Sequence, residues 1–200
     1  MQEENKIPYK DIRIEKLEER HINLLGKFEA IAKDLKDFLI QDAYKNQEMA
    51  ISTTYLWFHN PTNDLVAYVT ILNDAVRVHG TQLGKQFMDI GIQYKTLPAL
   101  KIGRMCVHKN YIKKGIGTYI IEYVMSIAIK ISEESGCRFI VLDAKTETGA
   151  QRFYSKKSFQ ILKSREKGTI SMFYDMLKII EYYRENKKKL LQFGIKDETT

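Results

Sequence analysis

The sequence predicts a single α/β domain, α+β in detail, built on one mixed, mostly antiparallel sheet with a central parallel βαβ unit. Three observations carry this prediction. A chain of 200 residues suits one full-sized core and is short for two. A strand, an amphipathic helix and a wholly apolar strand follow one another between Pro98 and Leu142, the order of a parallel crossover, which is right-handed in nearly all cases. On either side of that unit, runs of strand-like composition are joined by turn signals, which makes antiparallel pairs.

The elements follow in order. Asp11–Lys16 reads as a short first strand, and the stretch to Met49 is charged with apolar residues at helical spacing, notably Leu35, Phe38, Leu39 and Ala43, so one or two amphipathic helices are expected there. Ile51–Phe58 and Leu65–Leu72 are rich in β-branched and aromatic residues and flank the turn residues Asn60-Pro61-Thr62-Asn63-Asp64, a β-hairpin. Asp74–Thr96 is the least legible part, with a short helix expected near Lys85–Gln93. Ala99–Val107 is a strand and Tyr111–Gly117 a tight turn. A helix follows, with Ile120, Ile121, Val124, Ile127, Ala128 and Ile131 along one stripe and Gly136 as its stop. Phe139–Leu142 is a continuous apolar run, as a strand buried on both faces requires. A second helix over Glu147–Lys157 precedes a closing antiparallel pair, Phe159–Leu162 with Ile170–Leu177, about Lys167-Gly168. The domain is expected to span residues 1–178, with a basic, partly helical C-terminal tail over 179–200.

Composition narrows the function classes. No apolar run approaches the roughly 18–20 residues that span a bilayer, so no membrane association is expected. Cys106 and Cys137 lie far apart, outside any metal-ligand or redox spacing, which predicts no metal site and fits a reducing cytoplasm. The net charge of +7 is unevenly spread: Lys101–Gly168 holds 14 Lys and Arg against 6 Asp and Glu. That excess suits a polyanionic ligand such as a phosphorylated cofactor or RNA, and equally a solvated lysine-rich face.

Tyr111–Gly117 sets two lysines and two glycines between a strand and a helix. The first amides of a helix lack internal partners and lie at the positive end of its dipole, so main chain alone can hold a diphosphate. Glycine at 115 and 117 allows the close approach, and Lys113 and Lys114 add charge at the rim. The turn is not a Walker loop, because its lysines precede the glycines, and Ile120 at the third position of a Gly-x-Gly-x-x-Gly pattern argues against a dinucleotide fold.

Two segments together carry a resemblance. Arg104-Met105-Cys106-Val107-His108 followed by Tyr111-Ile112-Lys113-Lys114-Gly115-Ile116-Gly117 resembles the strand-turn-helix motif of the GNAT acetyltransferases. Asp143-Ala144, Ala150 and Phe153-Tyr154-Ser155-Lys156-Lys157-Ser158-Phe159 resemble the second signature of that superfamily. The resemblance implies the GNAT acyl-CoA N-acyltransferase fold, with acetyl-CoA as cofactor. Its contacts would come from Met105, Cys106 and Val107 along the pantetheine arm, and from Lys113, Lys114, Gly115, Ile116, Gly117 and Thr118 at the pyrophosphate. Ile112 stands where the family has Gln or Arg, Ser158 where glycine is common, and Glu147 where asparagine is common.

Tyr154 is the catalytic candidate: a phenol can stabilise and protonate the thiolate that an attacking amine expels, and the resemblance implies that role, whereas its residues alone would equally suit a core tyrosine beside Phe153. His108 and Asp143 are candidate bases, alongside a water relay. Cys106 reads as a small buried strand residue rather than an acyl carrier.

The expected function is therefore direct transfer of an acetyl group to a primary amine in a ternary complex. The run Leu97–Arg104 and the Phe153-Tyr154 spacing resemble the branch that includes tRNA-acetylating toxins, so aminoacyl-tRNA is one candidate acceptor. A non-catalytic acyl-CoA sensor is a further alternative, for which Ile112 is the hint. A homodimer is compatible with the sequence.

Overall fold

The computed structural model describes residues 6–146, 149–165 and 168–192. In chain order the elements are β1 (Ile12–Lys16), α1 (Ile22–Leu25), α2 (Lys33–Gln41), α3 (Ala43–Glu48), β2 (Thr53–His59), β3 (Asp64–Arg77), α4 (Gln82–Asp89), β4 (Thr96–Val107), α5 (Ile116–Glu134), β5 (Phe139–Lys145), α6 (Ala150–Ser155), β6 (Gln160–Arg165), β7 (Thr169–Asp175) and α7 (Leu177–Gln192). The strands form one sheet in the order β1-β2-β3-β4-β5-β7-β6. The pairs β1–β2, β2–β3, β5–β7 and β6–β7 are antiparallel. Bonds from His108 N–H to the Val66 carbonyl and from Val78 N–H to the Lys95 carbonyl give β3–β4 the same sense. The parallel pair is β4–β5, joined through α5 as the strand-helix-strand reading requires.

The chain clusters into two compact units. The first comprises residues up to Asp74 with Leu100–Val124. Strand alternation there sends Leu56 and Phe58 into a core with Cys106 of β4 and with Leu25, Phe28 and Leu39 from the helical side. Their neighbours Tyr55 and Trp57 point the other way and meet the edge of Tyr123 on α5, at 5.2 and 5.6 Å between centroids. Covering both sheet faces explains why Leu65–Ile71 are buried without a break. Three short helices stand where one or two were expected.

The second unit comprises Ala75–Ala99 and the chain from Met125 onward. Its core joins Val76, Val78, Phe87, Leu97, Phe139 and Phe173. Arg138 fixes the start of β5: its guanidinium makes two 2.8 Å bonds to Asp175 and lies 5.2 Å from the Phe87 ring centroid. The illegible segment resolves into an extension of β3 to Arg77 and the helix α4, which starts three residues before the expected helix and ends four before its end. Thr81 caps α4, accepting from the Gly84 amide at 3.1 Å. A β-carbon on Gly84 would stand 2.1 Å from the Val78 carbonyl oxygen. Glycine is therefore required for α4 to lie on that backbone, and Gly84→Ala should destabilise the protein by about 2 kcal/mol, seen as a lower melting temperature by circular dichroism. A melting temperature equal to wild type would contradict this packing.

The helix expected over Glu147–Lys157 is observed as Ala150–Ser155, with Glu147 and Thr148 outside the described residues. The expected turn residue Lys167 lies outside them as well, and so does the tail from residue 193. Among the described residues no helix is long and apolar enough to cross a membrane.

Candidate active site

The first unit holds the Lys113–Gly117 turn. Lys113 has φ of 65° and Gly115 of 87°, so two of three consecutive residues take left-handed backbone before the chain enters the 19-residue helix α5. The Thr118 amide donates to the Gly115 carbonyl at 2.9 Å. Among the described residues no main-chain carbonyl receives the amides of Lys114, Gly115, Ile116 or Gly117. These four donors stand at the positive end of α5, an arrangement suited to an anion.

The flanking residues hold the turn from two sides. Tyr111 donates its hydroxyl to Asp64 at 2.6 Å, a bond that holds the Asp64 carboxyl below its usual range. The ring of Tyr111 in turn carries the Lys114 ammonium, 4.7 Å from its centroid. Lys113 is exposed. On the other side lies the N-terminal segment: the Ile7 amide donates to the Lys114 carbonyl at 3.1 Å, and Tyr119 donates its hydroxyl to the Ile7 carbonyl at 3.1 Å.

Strand β4 leads into the turn. Cys106 faces the core, and burial pushes its thiol up to about 12. It is therefore protonated at neutral pH and cannot act as a nucleophile, in keeping with the reading of a small buried residue. Met105 and Val107 alternate to the opposite face. His108, just past the strand, accepts from the Asn110 amide through Nδ1 at 3.2 Å and makes a further hydrogen bond to the Lys27 backbone. Its ring packs on Phe28 and Tyr111. Burial keeps the imidazole below its ordinary value, and its Nδ1 lone pair is already in use. The arrangement gives His108 a structural task.

The second unit holds Tyr154 and Asp143. Tyr154 is 8% exposed and makes edge contacts with Phe153 and Phe159 at 5.2 and 5.5 Å. Its place is set by the end of α6. The Phe159 amide donates to the Tyr154 carbonyl at 3.1 Å and the Ser158 amide to the Ser155 carbonyl at 3.0 Å, the paired bonds of a Schellman motif, with Ser158 left-handed at φ 64°. The ring contact of Tyr154 with Phe159 is the apolar contact that accompanies this motif. Asp143 accepts from the Ser171 hydroxyl at 2.5 Å, opposite it in the β5–β7 register.

Residues 65–161 match the family described as acetyltransferase (GNAT) domain. Residues 65–161 are a GNAT acetyltransferase domain. The match covers the β3–β4 region, the turn with α5, and the Tyr154 segment, so both motifs fall inside the GNAT domain. Three solved structures share its fold. AtaT complexed with acetyl-methionyl-tRNAfMet has a TM-score of 0.74 at 19% identity, over 86% of this chain and 99% of that one. AtaTR bound with AcCoA has a TM-score of 0.68 at 19% identity, over 87% and 98%. The KacTA-DNA complex has a TM-score of 0.66 at 21% identity, over 88% and 99%. No curated protein matches the sequence.

The GNAT domain accounts for one departure in its second motif. Ser158 occupies a left-handed position that glycine adopts without strain, while a side chain there costs roughly 1–2 kcal/mol. After allowing for the greater chain entropy of unfolded glycine, Ser158→Gly should stabilise the protein by about 0.5 kcal/mol. Denaturant unfolding measures this, and a loss of stability would mean that the serine side chain makes a compensating bond. The Tyr111 and Asp64 support and the Ile7 bond to the turn were not foreseen from the sequence. They join residues far apart in the chain, and the only local trace of them is an aromatic residue next to each end of the glycine turn.

Proposed function

We propose that this GNAT acetyltransferase moves the acetyl group of acetyl-CoA directly onto a primary amine in a ternary complex. The observation that carries the reading is the set of four amides from Lys114 to Gly117 at the start of α5 that no main-chain carbonyl receives among the described residues. Such donors fit a diphosphate, and Lys113 and Lys114 supply charge beside them. Thr118 adds its side chain, since its amide is already bonded within the turn. Met105, Cys106 and Val107 offer main-chain groups to the pantetheine arm, as the resemblance implies.

Acetyl-CoA supplies an acetyl thioester. As the resemblance implies, main-chain groups of β4 would polarise the thioester carbonyl for attack by the neutral amine. Tyr154 would give its phenolic proton to the sulfur as the carbon–sulfur bond breaks, and the proton that the amine loses to water would restore the phenol. No covalent enzyme intermediate is needed. A cytoplasmic setting fits two buried cysteines that form no disulfide.

A second reading concerns the acceptor, and the fold likeness to AtaT complexed with acetyl-methionyl-tRNAfMet favours it. The α-amine of an aminoacyl ester is less basic than a lysine amine, so it is partly neutral at cell pH and needs no strong base. The positive excess between Lys101 and Gly168 suits RNA phosphates. One experiment tests both readings: purified protein and acetyl-CoA are mixed with small amines, peptides and charged tRNA, and free thiol and acetylated product are followed. Product on charged tRNA alone selects the second reading, product on free amines the first. Coenzyme A binding without thiol release from any acceptor would leave a sensor.

A further inference from the structure

The segment Lys6–Tyr9 lies far from the turn in sequence and is tied to it at three points. Its Ile7 amide donates to the Lys114 carbonyl at 3.1 Å. The methylenes of Lys6 lie 3.6 to 3.8 Å from where a β-carbon on Gly115 would stand. Tyr119, one turn into α5, donates its hydroxyl to the Ile7 carbonyl at 3.1 Å and meets the Tyr9 ring edge-on at 5.2 Å. Ile7 itself is 8% exposed although it lies close to the chain start, so the segment is seated by a buried side chain.

The geometry of a peptide gives these contacts a consequence. In a trans peptide the carbonyl and the following N–H point in opposite directions from one plane. Holding the Lys114 carbonyl toward Ile7 therefore turns the Gly115 amide to the side away from the segment. Glycine at φ 87° has no side chain to resist rotation of that plane. The bond from Ile7 is thus an external restraint on a freely adjustable donor.

We propose that Lys6–Tyr9 is a strap that sets the Lys114–Gly115 peptide for diphosphate binding, with Tyr119 as the positioning residue that holds the strap; this rests on the placement of coenzyme A at the turn. Neither Tyr119 nor Ile7 touches the ligand in this scheme. They act through one peptide plane, so their effect is confined to the diphosphate and does not extend to the pantetheine arm.

The test compares coenzyme A with pantetheine, which lacks the diphosphate, by titration of the full chain and of Tyr119→Phe. The phenyl ring keeps its contact with Tyr9, and only the bond to the Ile7 carbonyl is lost. The dissociation constant for coenzyme A should rise about fivefold, the effect of one hydrogen bond, while that for pantetheine stays as in wild type. Ile7→Ala, which removes the buried anchor, should shift the same ratio in the same direction and serves if Tyr119→Phe does not fold. An unchanged coenzyme A affinity in both variants, or equal weakening of both ligands, overturns the strap. Wild-type protein that fails to bind coenzyme A at all overturns the placement at the turn, and the strap with it.

Discussion

Tyr154→Phe should lower turnover by about two to four orders of magnitude, the span over which a positioned proton donor contributes, with coenzyme A affinity kept near the wild-type value. Phenylalanine preserves the ring contacts with Phe153 and Phe159. The Schellman bonds that place residue 154 come from the backbone and survive the change. What disappears is one hydroxyl in a nearly buried place, where a hydrogen bond to a developing thiolate is stronger than in water. Because that bond forms only as the thiolate develops, kcat and kcat/KM should fall together. Steady-state kinetics with a titration of coenzyme A checks both halves. Unchanged turnover would return Tyr154 to the role of a core aromatic.

How far the fold could be read depended on whether its cause was local. Ile120, Ile121, Val124 and Ala128 repeat at helical spacing, and all four are at most 2% exposed on α5, because a buried stripe and a helical period are the same constraint. The apolar run of β5 was legible for a similar reason. In contrast, β3 continues to Arg77 through Asn73 and Asp74, which break the strand pattern because this part of β3 is exposed on its outer positions. Helix α4 contains Gly84, which propensity counts against a helix. The reason for it is a carbonyl of Val78 that no local pattern announces. The candidate site divides in the same way. Its glycine turn and its Tyr154 segment are short motifs and could be read. The Tyr111–Asp64 support and the Ile7 bond to Lys114 join residues 47 and 107 positions apart, and a single sequence holds no signal for such a pairing. Ser158 is a mixed case: the substitution was visible, yet only the left-handed backbone shows that the turn keeps its shape despite it.

Gly115→Asp should reduce coenzyme A affinity by about two to three orders of magnitude. Charge lowers the affinity, and the backbone lowers the stability. A carboxylate on residue 115 repels the diphosphate: two like charges about 4 Å apart near a protein surface cost about 4 kcal/mol, of which added water and counterions remove a part. The left-handed backbone, at φ 87°, adds strain of roughly 1–2 kcal/mol that lowers stability rather than affinity. Space is not the obstacle, since a β-carbon here meets only the Lys6 methylenes at ordinary contact distances of 3.6 to 3.8 Å. Gly115→Ala separates these contributions, because it carries the strain without the charge. It should melt at nearly the same temperature as the aspartate variant while losing far less affinity. A titration in low and high salt completes the comparison: repulsion is screened, so the gap between the two variants should narrow as salt rises. If the aspartate variant binds coenzyme A as tightly as wild type, the diphosphate is held elsewhere, and the four amides at the start of α5 have another task.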